Sequence, residues 1–511
     1  MKITLISPYR VLQAFGLRTI SSCLKEEGHD VQMICLNRQY GLYTKRYDKP
    51  YSDKVLSEIV RMSEGSNLIG ISLSTNYFEN AVQITQALKK HCDVKIIWGG
   101  IHPTVCPEEC LNYADMVCIG EGEGSIVELA NRADAGKDVR NIRGIWFANG
   151  GKIIKNPMYP LIENLDDIPY MDYDHKTMFA LDVENHLVQV TKKQITPMNY
   201  TTMPTRGCMF SCAFCCNNYY NKMYNKQSFY RKRSINNIIN ELLIVKEMPS
   251  IDCITFDDDA FFGLPLKEIK EFCRKYKARI GMPLSITGAT PVTITREKLS
   301  LLTDAGLVSM RMGIQTGSNR IKKLYNLRHT NQQIINAVKI INEYRDKIKR
   351  VQYDIILDDL WETDKDKVET LMFLTRLPMP YRLSLCSLVC YPGTELHKKA
   401  IKEGLITDEL NEVYRKGLHS CEDDTYLSGL FFLVDYCAKH GVRIPSWLMF
   451  ILTRKTLKWL GLKSMIYKIA SSALKKRCVK LKNVVTFTRH LEDCDMTAEG
   501  IDDCMIDVGM V

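Results

Sequence analysis

The sequence predicts an α/β protein with two parallel sheets in series and a helical extension at the C-terminus. Short apolar runs alternate with helical stretches through the first 150 residues, and the same alternation resumes after residue 200. Between them lies a stretch of mixed polarity that contains Pro157, Pro160, Pro169 and Pro197. We therefore predict a first domain, a linker, a second domain and a basic helical extension with an acidic tail, at 1–150, 151–200, 201–410 and 411–511.

The amino-acid composition limits the classes of protein to which the chain could belong. Hydrophobic residues make up 45% and charged residues 25% of the 511 positions, which is typical of a soluble globular chain. The N-terminus enters a strand pattern at once, without a signal-peptide cleavage region, so we expect a cytoplasmic protein. Nineteen cysteines in that setting favour reduced thiols and a metal site over a disulfide framework.

The first 150 residues predict five βα units and a doubly wound sheet. Strands are expected at 2–7, 30–36, 68–74, 94–100 and 116–122, with helices at 16–28, 52–64, 77–91 and 123–136. Ligands of such sheets bind beyond the carboxyl ends of the strands. Small residues and one acid follow three of those ends, where glycine lets backbone approach a ligand closely: Ser72, Ser74, Gly99, Gly100, Gly120 and Glu121.

The second alternation predicts a partial barrel. Strands are expected at 251–262, 284–288, 308–318, 351–357 and from residue 383, with helices at 266–277, 295–304, 330–345 and 363–375. About six βα units are too few to close an eight-fold barrel, so a TIM-type (β/α)6 sheet should stay open. Reactive groups on such a sheet belong at the carboxyl ends of the strands.

Three closely spaced cysteines are the strongest chemical signal. Cys208, Cys212 and Cys215 have the spacing CxxxCxxC, and three thiolates can bind one 4Fe-4S cluster while leaving the fourth iron open. A zinc site would need a fourth ligand, which the neighbouring Cys216 is poorly placed to supply. We therefore predict a 4Fe-4S cluster and expect Cys216 to pack.

This spacing, with the aromatic Phe214 before the third cysteine, resembles the motif of the radical S-adenosylmethionine (SAM) enzymes. The resemblance implies that the open iron chelates SAM and that one electron from the cluster cleaves it to a 5′-deoxyadenosyl radical. It also implies that Asp258 or Asp259 accepts the SAM ammonium, although an acidic turn or helix cap is the alternative for this stretch.

Two further stretches resemble motifs of the same enzymes. Gln315 stands in GIQTGS where relatives have GxESGS, and it can bond a ribose hydroxyl or the amino acid moiety without contributing charge. Asp354 opens a stretch that resembles DxxxDxPWET, with Leu360 in place of the usual proline. A buried structural acid is the alternative for Asp354.

The N-terminal units resemble the Rossmann-like cobalamin-binding domain found in one class of radical SAM enzymes. That class repeats GGxHPT and GEGE at the two glycine-rich stretches, and the resemblance implies a cobalamin pocket at them and at the two serines. The DxHxxG stretch that ligates cobalt in many cobalamin domains is replaced by Ser7-Pro8-Tyr9. We therefore expect cobalamin without a histidine ligand, with His102 as the alternative ligand and a sheet that has lost its cofactor as the alternative for the whole domain.

The basic charge of the chain is concentrated near the C-terminus. Residues 439–490 hold 13 Lys or Arg and no Asp or Glu, whereas the last twenty residues hold seven acids and no base. The apolar helical patterns at 427–438 and 447–474 fit either a cap on the barrel or a helix on an anionic membrane surface at the inner face. Nucleic acid is not expected, because no base-reading module accompanies the charge.

The resemblance, which covers roughly residues 1–410, implies a cobalamin-dependent radical SAM enzyme that modifies an unactivated carbon, most often by methyl transfer. The alternatives are a radical enzyme without methyl transfer and a noncatalytic iron-sulfur protein. Radical SAM chemistry requires an external one-electron reductant such as flavodoxin or ferredoxin and is oxygen-sensitive, so we expect an anaerobic setting. The substrate, a small or lipid-like molecule, is not specified by the sequence.

Overall fold

The computed structural model describes residues 1–9, 12–36, 46–195, 198–224, 229–248, 251–419 and 425–454. Its first layer is a nine-stranded sheet of order β7-β6-β5-β4-β3-β1-β2-β8-β9. The strands are β1 Lys2–Ser7, β2 Asp30–Cys35, β3 Leu68–Ser72, β4 Lys95–Gly99, β5 Met116–Cys118, β6 Ile145–Asn149, β7 Lys152–Lys155, β8 Met178–Leu181 and β9 Leu187–Gln189.

The five predicted parallel strands form the centre of this sheet. β1 pairs in parallel with both β2 and β3, and β4 and β5 extend the sheet from β3. The strand order therefore reverses between β1 and β3, which is where doubly wound sheets bind ligands. Helices cover both faces, at α1 Phe15–Glu26, α2 Asp53–Ser63, α3 Phe78–His91, α4 Ile101–Val105, α5 Pro107–Cys110 and α6 Glu123–Asp134.

The segment 151–200, predicted to be a linker, contributes strands to the first sheet. β7 pairs antiparallel with β6, β8 pairs in parallel with β2, and β9 folds back antiparallel on β8. β7 and β9 are edge strands, where one side of the backbone stays unpaired and polar side chains are tolerated, whereas β8 is paired on both sides and mostly buried. All three strands are short, so the segment resembles a linker in its sequence. A four-residue helix, α7 Lys192–Ile195, follows β9.

The second layer is a six-stranded parallel sheet whose order follows the chain. Its strands are β10 Met198–Thr202, β13 Ile251–Phe256, β14 Leu284–Ala289, β15 Leu307–Gln315, β16 Arg350–Leu357 and β17 Arg382–Ser387, and a small antiparallel ladder joins β11 Thr205–Arg206 to β12 Arg231–Lys232. Because β10 and β17 lie at opposite edges, the predicted open (β/α)6 barrel is confirmed.

Helices connect the barrel strands, and most of them bury apolar residues. They are α8 Cys216–Met223, α9 Ile235–Lys246, α10 Leu266–Arg279, α11 Arg296–Ala305, α12 Asn319–Leu324, α13 Asn331–Asn342, α14 Asp364–Leu374 and α15 Glu395–Lys402. Side-chain caps fix several starts: Thr330 accepts from the Gln333 backbone N–H, and the Gln333 side chain returns the bond in a capping box.

The C-terminal extension caps the barrel, as one of the two predictions has it. Helix α16, Tyr426–Lys439, buries Leu427, Leu430 and Phe431 in the hydrophobic cluster of the barrel. Helix α17, Ser446–Leu452, adds Met449 to that cluster. The remainder of the predicted helix at 447–474, most of the basic segment and the acidic tail lie outside the described residues. Among the described helices, none combines the length and apolarity needed to cross a bilayer.

Candidate functional site

A single cavity of about 810 Å³ lies between the two sheets and opens at the carboxyl ends of their strands. Its walls include residues of the first sheet, of the cysteine loop and of the ends of β13 to β17. Every residue that the sequence predicted to bind a cofactor or the cluster lines it, whereas His102, the alternative cobalt ligand, does not. The two sets of residues that the sequence assigned to separate domains therefore face one space.

The cysteine loop follows the first barrel strand, β10, as predicted. Gly207 starts the turn with φ 80°, and a Cβ there would lie 2.5 Å from the Phe229 carbonyl oxygen, so only glycine fits. The loop is tied down at both ends: the Asn221 side-chain amide donates to the Cys208 carbonyl at 3.1 Å, and the Ala213 N–H donates to the Tyr325 carbonyl at 2.9 Å. The cysteines thus stand on a fixed backbone.

The three thiols fit a cluster better than a single ion. All three are free and partly buried, and burial raises the pKa of Cys208 and Cys212 to about 12. Among the described residues, the only group of three side chains whose metal-ligating atoms meet within 4.8 Å is elsewhere, so these sulfurs stand farther apart. A 4Fe-4S cluster needs that spread, since each thiolate binds a different iron. Its assembly would release the thiol protons.

Phe214 is a packing residue of the loop. Its ring meets Tyr325 edge-on with centroids 5.2 Å apart, and it joins the hydrophobic cluster behind the first sheet while lining the cavity. Aromatic pairs of this geometry are favourable beyond the area that they bury. Phe214 therefore links the cysteine loop to the first domain.

The two predicted carboxylates after β13 differ in their surroundings. Asp258 is buried and accepts bonds from the Thr205 N–H and hydroxyl, both at 2.7 Å, and from the Ala260 N–H at 2.8 Å. Its oxygens are thus occupied in holding the start of the cysteine loop, and burial raises its pKa to about 7. Asp258 thus supports the cysteine loop, a role that was not among those predicted for it.

Asp259 keeps its carboxylate open to the cavity. It accepts one bond, from the Asn217 side-chain amide at 3.0 Å, and its carbonyl oxygen lies 4.0 Å from the Cys208 sulfur. Asp257, which sequence reasoning passed over, also lines the cavity and bonds the Thr287 hydroxyl at 3.1 Å. Asp259 is therefore the better placed of the two predicted residues to accept a cation beside the cysteines.

Gln315 and Asp354 lie on neighbouring strands at the cavity wall. Gln315 ends β15 with φ 67°, a left-handed conformation that is costly for a residue with a side chain. Asp354 pairs with Arg311 at 2.5 Å, and both side chains are buried. The sequence did not identify Arg311 as the partner of Asp354. The alternation of buried and exposed positions along a strand does not show which residue of a neighbouring strand lies beside it.

Two of the three predicted glycines of the first domain are required by neighbouring protein atoms. Gly100 has φ 100°, and a Cβ would lie 2.7 Å from the Leu73 carbonyl oxygen; Gly120 has φ 80°, and its Cβ would lie 2.2 Å from the Tyr224 hydroxyl. Gly99 borders the cavity with ordinary space around it, the nearest atom lying 3.7 Å away. The predicted reason, close approach of a ligand, therefore explains at most part of this pattern.

Ser72 and Ser74 flank the point where the strand order reverses. Ser72 ends β3, and its hydroxyl hydrogen-bonds Tyr9, whose pKa burial raises to about 12. Ser74 is buried and immediately precedes a short 3-10 turn, Thr75–Tyr77. Tyr9 follows β1, where many cobalamin domains place their histidine motif, and it lines the cavity beside Tyr77 with ring centroids 5.1 Å apart.

His102 is turned away from the cavity. Its ring is fully buried and packs edge-on against Phe78 and Tyr414, with centroids 5.0 and 5.2 Å away. It is absent from the residues that line the described cavity. The alternative in which His102 ligates cobalt is therefore wrong, because its side chain fills the space behind the glycine loop.

Buried ion pairs join the two domains beside the cavity. Glu121 pairs with Arg231, and Arg206 pairs with Glu123 at 2.7 Å while lying 3.4 Å from Glu121. Glu123 and Arg231 are nearly buried, and the two arginines hold the pKa of Glu123 below its usual value although burial opposes this. The carboxylate of Glu121, a residue predicted to bind cobalamin, is thus engaged in the ion pairs between the two domains. Sequence reasoning missed the arginines, whose partners lie more than eighty positions away.

Family models and curated relatives match both halves of the chain. The family described as the radical SAM superfamily matches residues 202–374, and that described as the B12 binding domain matches residues 1–130. An uncharacterized methyltransferase of Pyrococcus horikoshii is 28% identical over 396 residues, covering 76% of this chain and 79% of that protein. Cytidylyl-2-hydroxyethylphosphonate methyltransferase of Streptomyces wedmorensis is 24% identical, covering 64% and 66%.

Solved structures share the fold at low sequence identity. The radical SAM methyltransferase TsrM from Kitasatospora setae, with cobalamin and a 4Fe-4S cluster bound, superposes with a TM-score of 0.61 at 16% identity, covering 79% of this chain and 75% of that one. The cobalamin-dependent SAM radical enzyme OxsB, with aqua-cobalamin and SAM bound, has a TM-score of 0.63 at 15% identity, covering 98% and 83%.

Proposed function

The chain belongs to the radical SAM superfamily and carries an N-terminal B12 binding domain, and we propose that it is a cobalamin-dependent radical SAM enzyme that methylates an unactivated carbon. One observation carries the proposal: the cysteine loop and the glycine loops of the first sheet line the same cavity. Two curated relatives are named as methyltransferases, which supports the choice of reaction, whereas two others that match smaller shares of this chain are named as cyclases.

Different residues of this chain would bind the cluster, SAM and cobalamin. Cys208, Cys212 and Cys215 would hold the cluster, and Asp259 would accept the ammonium of SAM beside it. The cavity wall around Ser72 and Gly99 would hold cobalamin. When bound, the cluster, SAM and cobalamin supply a reducing electron, a hydrogen-abstracting radical and a methyl group. The protein orients these cofactors and excludes water. A substrate has to share the cavity, since both cofactors act on one carbon.

Isotope transfer tests the methyl-transfer proposal. The anaerobic holoenzyme is incubated with dithionite, SAM carrying a labelled methyl group and extracts of its source cells, and labelled products are sought by mass spectrometry. We expect label in one product, together with 5′-deoxyadenosine. Formation of 5′-deoxyadenosine with a modified but unlabelled product would replace methyl transfer with another radical reaction. A cluster whose spectrum ignores SAM would favour the noncatalytic iron-sulfur protein.

We propose further that α17 and the basic segment contact an anionic membrane surface, with a lipid-like substrate. Trp447, Phe450 and Ile451, which share one face of α17, are 65%, 49% and 45% exposed. Phe450 packs under the Arg454 guanidinium at 4.5 Å. The excess of 13 positive charges in 439–490 complements anionic headgroups, and aromatic side chains insert at that interface.

Vesicle sedimentation tests the membrane proposal. We expect the full chain to bind vesicles of phosphatidylglycerol and phosphatidylcholine, to release them at high salt, and to bind several-fold more weakly as Trp447→Ser/Phe450→Ser. Val183→Ser is the control, because Val183 is 77% exposed but far from the basic segment in sequence. Equal binding by wild type and the double variant, or binding that is indifferent to anionic lipid, would contradict the proposal.

The electron source is proposed from the chemistry. Cleavage of SAM consumes one electron that the chain does not itself hold, so an external carrier such as flavodoxin or ferredoxin would supply it, in a cytoplasmic and anaerobic setting. Replacing dithionite with reduced flavodoxin should sustain 5′-deoxyadenosine formation. Failure with both flavodoxin and ferredoxin would point to another reductant.

A further inference from the structure

A second group of potential metal ligands lies behind the glycine loop, outside the cavity. His102, Cys106 and Glu109 bring a ring nitrogen, a thiol sulfur and a carboxylate oxygen within 4.8 Å of one another. His102 stands on α4 and Glu109 on α5, and Cys106 is the non-helical residue that joins these two short helices, so the turn between them brings the three side chains together. In the described part of the chain this is the only group of three such side chains at that separation.

One ring nitrogen of His102 lies beside a hydroxyl group, whereas the other lacks a hydrogen bond within the described residues. Its Nδ1 lies 3.2 Å from the Thr75 hydroxyl, so the proton on Nδ1 can be donated there and the Nε2 lone pair faces the group. Nε2 is buried, makes no hydrogen bond within the described residues, and lies 3.5 Å from a Glu109 carboxylate oxygen. A buried nitrogen in this state costs free energy unless a further partner is supplied.

Glu109 has a supporting contact. The Tyr414 hydroxyl donates to the same Glu109 oxygen at 2.8 Å. Glu109 and Cys106 are partly exposed, so an ion could enter from solvent. Residues that bond metal ligands in this way, as Thr75 and Tyr414 would, commonly fix ligand orientation around bound ions.

We propose that His102 Nε2, Cys106 Sγ and Glu109 Oε2 bind one zinc ion. Imidazole, thiolate and carboxylate are all zinc ligands, and three protein ligands plus one water complete a tetrahedron. The mixture of soft and hard donors disfavours calcium and magnesium, which take oxygen ligands. The ion would brace the loop whose Gly99 and Gly100 line the cavity and would tie it, through Tyr414, to the segment that follows the barrel.

Metal content of the full-length holoenzyme tests this site. The protein with its iron-sulfur cluster assembled is dialysed anaerobically against zinc, then against a chelator that buffers free zinc in roughly the nanomolar range expected of structural sites. Iron and zinc are then counted by mass spectrometry. We expect about one zinc per chain in the wild type, none in Cys106→Ala, and unchanged iron in both.

Matched variants separate this site from adventitious thiol binding. Cys92→Ala removes another partly exposed cysteine of the same domain and should retain zinc. Glu109→Gln, which keeps the shape of the side chain, should retain much less. Zinc should also raise the melting temperature of wild type but not of Cys106→Ala. Equal zinc in wild type and Cys106→Ala, or loss of zinc only when the cluster cysteines are replaced, would overturn the proposal.

Discussion

The buried ion pair between Arg206 and Glu123 should contribute far more to stability than an exposed pair of identical chemistry. In both Arg206–Glu123 and Arg296–Glu343, a guanidinium nitrogen lies 2.7 Å from a carboxylate oxygen. The side chains of the first pair are 23% and 7% exposed, and those of the second 63% and 43%. The exposed pair is also bidentate, since Arg296 Nε donates to Glu343 at 2.8 Å, so a greater contribution of the first pair would come from burial and not from more hydrogen bonds. Glu→Gln in each pair measures that contribution.

Glu123→Gln leaves the Arg206 charge beside a neutral amide in a poorly solvated site. Removing one partner of a buried pair costs roughly 3–5 kcal/mol, but Glu121 stays 3.4 Å from Arg206 and offsets part of that, so we expect a loss of about 2 kcal/mol. Glu343→Gln should cost far less, because water and salt screen an exposed pair.

Urea denaturation of the cofactor-free chain, followed by tryptophan fluorescence, measures both variants. The midpoint should fall clearly for Glu123→Gln and hardly for Glu343→Gln, with similar slopes if only native-state stability changes. Losses that agree within about 0.5 kcal/mol would refute the argument that burial of the domain interface gives this pair its strength.

Three further predictions concern the cavity wall. Burial lowers the pKa of His329 to about 4, so its own contribution to the free energy of unfolding should be complete above pH 6.5 and be lost, by roughly 3 kcal/mol, as the pH falls from 6.5 to 4. Buried Asp258, with its pKa raised to about 7, changes stability in the opposite direction over this range, so the contribution is measured as the difference between the urea midpoints of wild type and His329→Asn across pH, and a constant difference would contradict it. Gly100→Ala should cost at least about 2 kcal/mol because of its positive φ and backbone overlap, whereas Gly99→Ala should melt like wild type; equal melting curves would contradict this. Asp258→Asn should lower iron content by loosening the cysteine loop, whereas Asp259→Asn should keep iron and weaken SAM binding; the reverse pattern would exchange their roles.

The parallel strands and the helices between them could be predicted because buried strands and amphipathic helices have distinct periods. β1, β16 and α10 agree with the sequence within a few residues. β8 and β9 could not be predicted, because they have only four and three residues and show no regular alternation of buried and exposed positions.

The features of the site also divide into those that the sequence could predict and those that it could not. Local spacing identified the cysteines, and the position of strand ends placed the other predicted residues at one cavity. What spacing could not show was which atoms each side chain would meet: the Asp258 oxygens are occupied by Thr205, Glu121 pairs with Arg231, and His102 faces away. These outcomes depend on long-range contacts, for which a single sequence carries little signal.

The most direct test of the central claim is metal analysis and product analysis of one anaerobic preparation, made from cells supplied with iron and cobalamin. The account predicts about four irons and one cobalt per chain. It also predicts 5′-deoxyadenosine formation with dithionite and SAM that Cys212→Ala abolishes. Iron and SAM cleavage in a protein that retains no cobalt would contradict the account, because the first sheet would then line a cavity without the cofactor that its loops are proposed to hold.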